Sequence, residues 1–562
     1  MLELPRGRIS GAAFHALIRL VLHTPAHHLT AQVLRKQLGI DDLKRLPDAA
    51  RLALPTSILP LRARADHARA SEGLGPLPRG TEPRERGVAS SADYHARFVS
   101  GELDPNALCE RAFAANRALG ARSPSLAPLS LLAEESAKRA AAAAAERFRT
   151  GKQRGPLDGV PMVIKEEVDF QGLPTRLGTG WKPHSPAPAD ATSVARLRAA
   201  GAVLLGQSPM TEYGLSPLGV NTNRLMPRNP HRPTHLAGGS STGSGVAVAT
   251  GVAPVALGVD GGGSIRIPAA HNGVFGLKPS FGRVPMTGHG SRGGSSVAHA
   301  GPIGASSFDL AAFLEATCGA DVGDEASLAQ PELPPGSLVE ALGRGVQGLR
   351  VGVIESEWDH AAHEVSAAGQ TALSALERLG AELVPVKLPL AAHASAIGYL
   401  TIGLESYAAL RVERAEHLSE LGPDVQLLLR GMSAFEPDDY LDAQRLRRRL
   451  REQTAELLRQ VDVLALPTTA SVAPPVTDEE AADGFLDPPA LEDACRFSFL
   501  ANLTGVPAGT APIGANKLGL PIGLQIIGDA YDEAAVLQVL AALERAEIAR
   551  ATRPASYVDL LA

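Results

Sequence analysis

Apolar and polar positions along this chain follow two alternating rules. Short apolar runs without polar alternation occur at 159–165, 202–206, 255–259, 350–354, 381–386 and 462–466. Each is too short for a helix and rich enough in aliphatic side chains to predict a strand buried on both faces. Longer segments with charge confined to one face separate them. Residues 133–149, dominated by alanine with Glu and Lys or Arg at helical spacing, predict a helix; 191–200, 243–253, 364–379 and 532–545 do likewise. Strands alternating with helices predict an α/β fold: a wide, mostly parallel sheet covered on both faces. Residues 350–386 read as one βαβ-like unit.

The first 90 residues keep a different pattern. Ala12, Leu17, Leu20 and Val21 recur at helical spacing, and a second amphipathic stretch covers 30–38. Residues 71–91 collect Gly, Pro, Arg and Glu without periodicity and read as a linker. The chain therefore divides into a helical extension with its linker, 1–90, and a main body, 91–562. The helix is open to three uses: packing on the body, lying on a membrane surface, or forming a homodimer contact.

Composition narrows the function classes. With 54 Lys and Arg against 60 Asp and Glu there is no basic footprint, which argues against a nucleic-acid partner. Only 4% of residues are aromatic, so Ala, Leu and Val must build the core. Cys109, Cys318 and Cys495 are widely scattered, which suits a reducing compartment better than a disulfide framework or a metal site. No apolar run is long enough for a membrane span, and the N-terminus lacks a signal-peptide layout, so a cytoplasmic location is expected.

The chemistry concentrates in glycine. Gly238-Gly239-Ser240-Ser241-Thr242-Gly243-Ser244 is followed by Asp260-Gly261-Gly262-Gly263-Ser264-Ile265-Arg266. Glycine runs let backbone N–H groups converge on a negatively charged atom, because no Cβ blocks the approach. A hydroxyl at the end of such a run is placed like a nucleophile beside its oxyanion hole. Upstream, the apolar run GVPMVIK ends in Lys165. A lysine at a buried strand end loses hydration, which favours the neutral amine and lets it serve as a base.

These segments together resemble the amidase signature family, whose pattern runs G-G-S-S-G-G-S, a short spacer, then D-x-G-G-S-I-R-x-P. Here the pattern ends at Pro268 and continues into Gly276-Leu277-Lys278-Pro279; similarity resumes at 502–507 and 519–525. The resemblance implies an α/β/α sandwich around a mixed sheet of about eleven strands. It also implies a catalytic set in which Lys165 is the base, Ser240 the serine of a cis peptide and Ser264 the nucleophile. Backbone N–H groups of Gly261, Gly262, Gly263 and Ser264 would form the oxyanion hole. Ser241, Asp260 and Arg266 match positions expected to hold the loop and orient Lys165 and Ser240. The implied activity is hydrolysis of a small-molecule amide through an acyl-enzyme, with no cofactor and no metal. Variable segments 215–224 and 434–501 are expected to line the substrate pockets, with Tyr213, Phe435 and Phe485 as the few aromatics available.

Three positions depart from the family pattern: Thr242 and Gly261 replace commoner residues, and Glu166 follows the lysine where aspartate is usual. None removes a catalytic group. Competing readings are weaker. Gly239-Ser240-Ser241-Thr242-Gly243 also fits G-x-S-x-G with Ser241 as nucleophile, but the turn-like residues 230–235 stand where that motif needs a strand. Residues 288–293 match G-x-G-x-x-G without a βαβ setting. His23, His27, His28, His360 and His363 have ligand-like spacings that nothing nearby completes. The alternative of a different class is a glutamyl-tRNA amidotransferase of the A type, which shares the serine–lysine set and passes ammonia to a partner. Ile267, where that protein usually carries Gln, and the N-terminal extension favour a free-standing enzyme.

Overall fold

The computed structural model describes residues 7–23, 28, 32, 35–36, 38–46, 87–290 and 295–562. Its strands are β1 Ile9–Ser10, β2 Leu131–Leu132, β3 Pro161–Lys165, β4 Val203–Ser208, β5 Val255–Asp260, β6 Phe275–Lys278 and β7 His299–Gly304. Further along come β8 Arg350–Val353, β9 Glu382–Pro385, β10 Val463–Pro467, β11 Phe485–Leu486, β12 Ala508–Ala515 and β13 Pro521–Ile527. Eleven of them form one sheet, in the order β2-β4-β3-β5-β7-β6-β12-β13-β10-β8-β9.

The sheet is mixed, as expected, but it is not mostly parallel. Four pairings are parallel: β3 with β4 and with β5, and β8 with β9 and with β10. The other six, through the middle and at the β2 edge, are antiparallel. The reason is visible in composition. The parallel strands are the aliphatic runs read from the sequence. The central antiparallel strands carry glycine and proline (HAGPIG in β7, AGTAPIGA in β12), which by composition resemble loops.

Helices cover the sheet. Glu134–Thr150 packs on β4, Ser307–Thr317 on β7, and Glu533–Arg545 and His363–Arg378 on β12. The helices Ala394–Ala409, Pro437–Leu457 and Phe499–Thr504 pack on one another and build a second apolar cluster beside the large one. Both clusters are dominated by Ala, Val, Leu and Ile. Among the described residues no helix is long and apolar enough to cross a membrane.

The N-terminal helix Gly11–His23 lies against the body. It packs on the helix Pro423–Met432, and β1 pairs antiparallel with β11. Arg8 adds ion pairs to Glu480 at 3.0 Å and Asp487 at 2.8 Å. Most of the second amphipathic stretch, 30–38, and the linker up to residue 86 lie outside the described residues.

Parallel pairing positions the chemistry. β3 and β5 are neighbours running in the same direction, so their C-terminal ends, Lys165 and Asp260, emerge side by side. The carboxyl ends of adjacent parallel strands are where open α/β sheets gather ligands.

Candidate active site

Lys165 closes β3 and is buried to 1% exposure. Its Nζ donates to Ser240 Oγ at 2.8 Å and to the Val259 carbonyl at 3.2 Å. Ser240 reaches it through a loop that turns sharply: the Gly239–Ser240 peptide is cis. The helix Thr242–Ala249 starts two residues later, so Thr242 sits at a helix start, which explains why a β-branched residue is tolerated there. Ser264 follows β5 by four residues, and Lys165, Ser240 and Ser264 line one cavity. The structure thus brings together three residues from three separate segments. Ser241, by contrast, is fully buried, with its hydroxyl hydrogen-bonded to the Val259 backbone carbonyl and N–H, each at 3.3 Å. It braces the serine loop against β5 and does not line the cavity, which disposes of the G-x-S-x-G reading.

The loop between β5 and Ser264 takes its shape from Asp260. This carboxylate accepts from the Gly263 N–H at 2.7 Å and the Ile265 N–H at 3.1 Å, and from Arg266 Nε and Nη2 at 3.0 Å each. Asn502 Nδ2 adds a bond at 2.8 Å. Arg266 in turn donates to the Ser498 carbonyl, Gln525 Oε1 and Asn502 Oδ1. Burial alone would raise the Asp260 carboxyl, but the Arg266 guanidinium and the Asn502 amide hold it well below the usual carboxylate range. Every donor of this network is matched, which is the condition under which a buried ion pair is tolerable.

One consequence corrects the sequence reading. The Gly263 N–H points at Asp260 and is not free for an oxyanion. The amides of Gly261, Gly262 and Ser264 have no protein acceptor among the described residues and are the ones left unengaged in this run. Gly263 is needed for its conformation: its φ is +120°, and a Cβ there would lie 2.5 Å from Ile267 Cδ1 and 2.6 Å from Ser498 Oγ. Gly261 has a packing reason too. A Cβ at that position would approach Ile402 Cδ1 to 3.0 Å, so Ile402 occupies the space that the larger side chain of the family pattern would need.

Two carboxylates follow Lys165. Glu166 turns into the body, where burial raises its carboxyl against the opposing charge of Arg224, 3.7 Å away. Glu167, which sequence reasoning missed, forms an ion pair with Lys165 Nζ at 2.7 Å, and both side chains are almost fully buried. β3 ends at Lys165 and residues 166–167 form a turn, so no strand alternation in the sequence placed Glu167 on the lysine's side. The segment 288–290, singled out for its glycines, packs against this turn: the Gly290 N–H donates to the Glu167 carbonyl at 2.8 Å. Burial pushes the neighbouring His289 imidazole down to about 4, so it is neutral at ordinary pH.

Two cavities meet at Ser264. The smaller also holds Lys165, Glu167, Tyr213 and Ser240. The larger, of about 140 Å³, is walled by Leu215–Leu218 and Val220, by Tyr399 and Ile402, by Val425, Leu427 and Leu428, and by Gly484–Pro488, Cys495 and Phe499. Its lining is overwhelmingly apolar. Of segment 215–224 only Leu215–Leu218 and Val220 line it, and of 434–501 only Gly484–Pro488, with Phe485 among them, Leu491, Cys495 and Phe499; Phe435 does not, and packs under Arg35. The walls supplied by Ile402, Val425, Leu427, Leu428 and Phe14 were not legible, because ordinary helical periodicity does not say which face lines a void.

Comparison with known proteins agrees with this geometry. A family model described as Amidase matches residues 107–537. A fatty acid amide hydrolase of Medicago truncatula is 33% identical over 476 residues, covering 84% of this chain and 78% of that one. The A component of the glutamyl-tRNA(Gln) amidotransferase of Chloroflexus aurantiacus is 35% identical over 480 residues, covering 80% and 95%. The crystal structure of a bacterial aryl acylamidase described as an amidase signature enzyme superposes with a TM-score of 0.72 at 27% identity, covering 82% and 96%.

Proposed function

Because the chain belongs to the amidase signature family, we propose that it hydrolyses carboxylic amides through a covalent acyl-enzyme on Ser264. The observation that carries this reading is the 2.8 Å bond from Lys165 Nζ to Ser240 Oγ in a cavity shared with Ser264. In the proposed mechanism Ser264 Oγ attacks the amide carbonyl as its proton passes to Ser240, whose own proton passes on to Lys165 Nζ when that nitrogen carries a free lone pair. The Glu167 carboxylate, 2.7 Å from Nζ, balances the positive charge the lysine then carries. The N–H groups of Gly261, Gly262 and Ser264 receive the developing oxyanion, a role in which one donor is worth about 3–4 kcal/mol. On collapse the C–N bond breaks and the same relay returns the proton to the departing nitrogen. Water then adds to the acyl ester, and Ser264 is released with the carboxylic acid.

The substrate reading follows from the two cavities. The larger, apolar one suits an acyl chain; the smaller one, beside the relay, suits the leaving amine. Resemblance to plant fatty acid amide hydrolases points the same way. The amidotransferase alternative shares the serine–lysine set and has a relative of comparable identity. Long apolar walls reaching Ser264 favour the hydrolase, since a glutamine side chain would leave them unused.

The test is turnover by the purified chain alone, with Ser264→Ala as the blank. Release of amine or ammonia from acyl anilides and primary fatty amides, absent in the variant, is the expected result. Ammonia release from glutamine alone, with no turnover of apolar amides, would favour the amidotransferase reading.

A further inference from the structure

We infer that the N-terminal extension is part of the acyl site and that Phe14 gauges the length of acyl chain the enzyme accepts. The inference rests on the amidase reading above. Phe14 and Leu38 line the large cavity that opens at Ser264, although both precede the segment matched by the family model, 107–537. This wall therefore comes from a part of the chain outside the catalytic body.

Phe14 is fully buried. It belongs to a small apolar cluster with Ile9, Ile18, Val21 and Leu427. That cluster is separate from the one containing Phe499, the ring that packs against Gly262 beside Ser264. The cavity thus has the nucleophile and the Phe14 cluster both in its lining, and its walls come from two different apolar clusters. The ring is held there from three sides. β1 pairs with β11, whose Phe485 and Leu486 are themselves cavity walls. Arg8 bonds Glu480 and Asp487 on either side of that strand. Gly484 leaves room for the ring: its φ is +82°, and a Cβ there would come within 3.3 Å of Phe14 Cε1.

An acyl chain esterified to Ser264 runs along Leu218, Val425 and Leu428 until it meets this ring. Each methylene that fits before the stop gains about fourfold in kcat/KM from apolar burial; the first that does not fit loses that gain and meets a packed wall.

The test is the chain-length profile of straight-chain acyl 4-nitroanilides, acetyl to stearoyl, for the wild-type chain, Phe14→Ala and Phe14→Trp. The optimum is expected to move to longer acyl groups in Phe14→Ala and to shorter ones in Phe14→Trp, read as the ratio of kcat/KM between chain lengths within each variant. Superimposable profiles would overturn the gauge, as would a uniform loss that includes the acetyl substrate. A second readout does not depend on turnover: affinity of the free fatty acids for the Ser264→Ala chain, with and without each Phe14 change, should rank the same way. Shifted acid affinities without anilide hydrolysis would sink the amidase reading and keep the gauge; hydrolysis with unshifted profiles would do the reverse.

Discussion

Asp260 and Arg266 lie six positions apart with no solvent exposure, and together they fold the loop that presents Ser264. Removing one partner leaves the other charged and unpaired in the interior. Asp260→Ala should therefore destabilise the chain by about 3–5 kcal/mol, measurable as a shift of the urea midpoint; a loss below about 1 kcal/mol would mean the network is dispensable. At this scale the sequence was informative where a residue type is rare in its setting. Two serines in glycine runs and one lysine closing an apolar run were legible, and the structure gathers all three. What was not legible was the use of individual N–H groups. Gly263 reads like its neighbours in a GGG run, yet its amide belongs to Asp260, a contact that depends on the turn after β5 and on no local pattern. Glu167 was similarly hidden, because a glutamate after a strand is ordinarily a solvated end.

In the main body, elements read as aliphatic runs or amphipathic helices were found within a few residues of their expected bounds. The failures were strands of glycine and proline, and they changed the sheet from mostly parallel to predominantly antiparallel. One buried carboxyl makes an element-scale prediction. Asp309, in the first turn of the helix Ser307–Thr317, accepts from the Ser91 N–H and hydroxyl, docking the start of helix Ser91–Ser100, and from the Ser306 hydroxyl. Burial pushes its carboxyl up to about 7 despite those hydrogen bonds. The unfolded chain releases this proton near pH 4, so between there and about pH 7 the folded state holds one more proton than the unfolded one. Stability therefore falls as pH rises through that window, by an amount on the order of a few kcal/mol. Asp309→Asn removes the titration, and its Tm should decline less than that of the wild-type chain from pH 5 to pH 8. Parallel curves would count against a protonated Asp309.

For the molecule as a whole, the catalytic body and the N-terminal helix are not independent. A boundary near residue 90 suits the change in sequence pattern, but β1, Arg8 and Phe14 tie the extension to β11 and to the large cavity. The extension offered three uses in sequence, and the described part packs on the body. Composition could not have chosen among them, since the apolar stripe of the helix is the same for each. The two cavities that share Ser264 differ in lining, one overwhelmingly apolar and the other including Lys165, Glu167 and Ser240, an asymmetry that suits the proposed release of an amine from an apolar acyl group.

That asymmetry leads to the most direct test of the relay itself. Amines depart only when protonated, whereas alkoxides of activated esters leave without help, so a chain lacking the lysine should discriminate between them. The measurement is kcat/KM of Lys165→Ala on an amide and an ester of the same acyl group. The account predicts that the amide loses at least about a hundredfold more than the ester, within the range ascribed to general acid–base assistance. Equal losses on both substrates would contradict a proton-delivering role for Lys165 and Ser240.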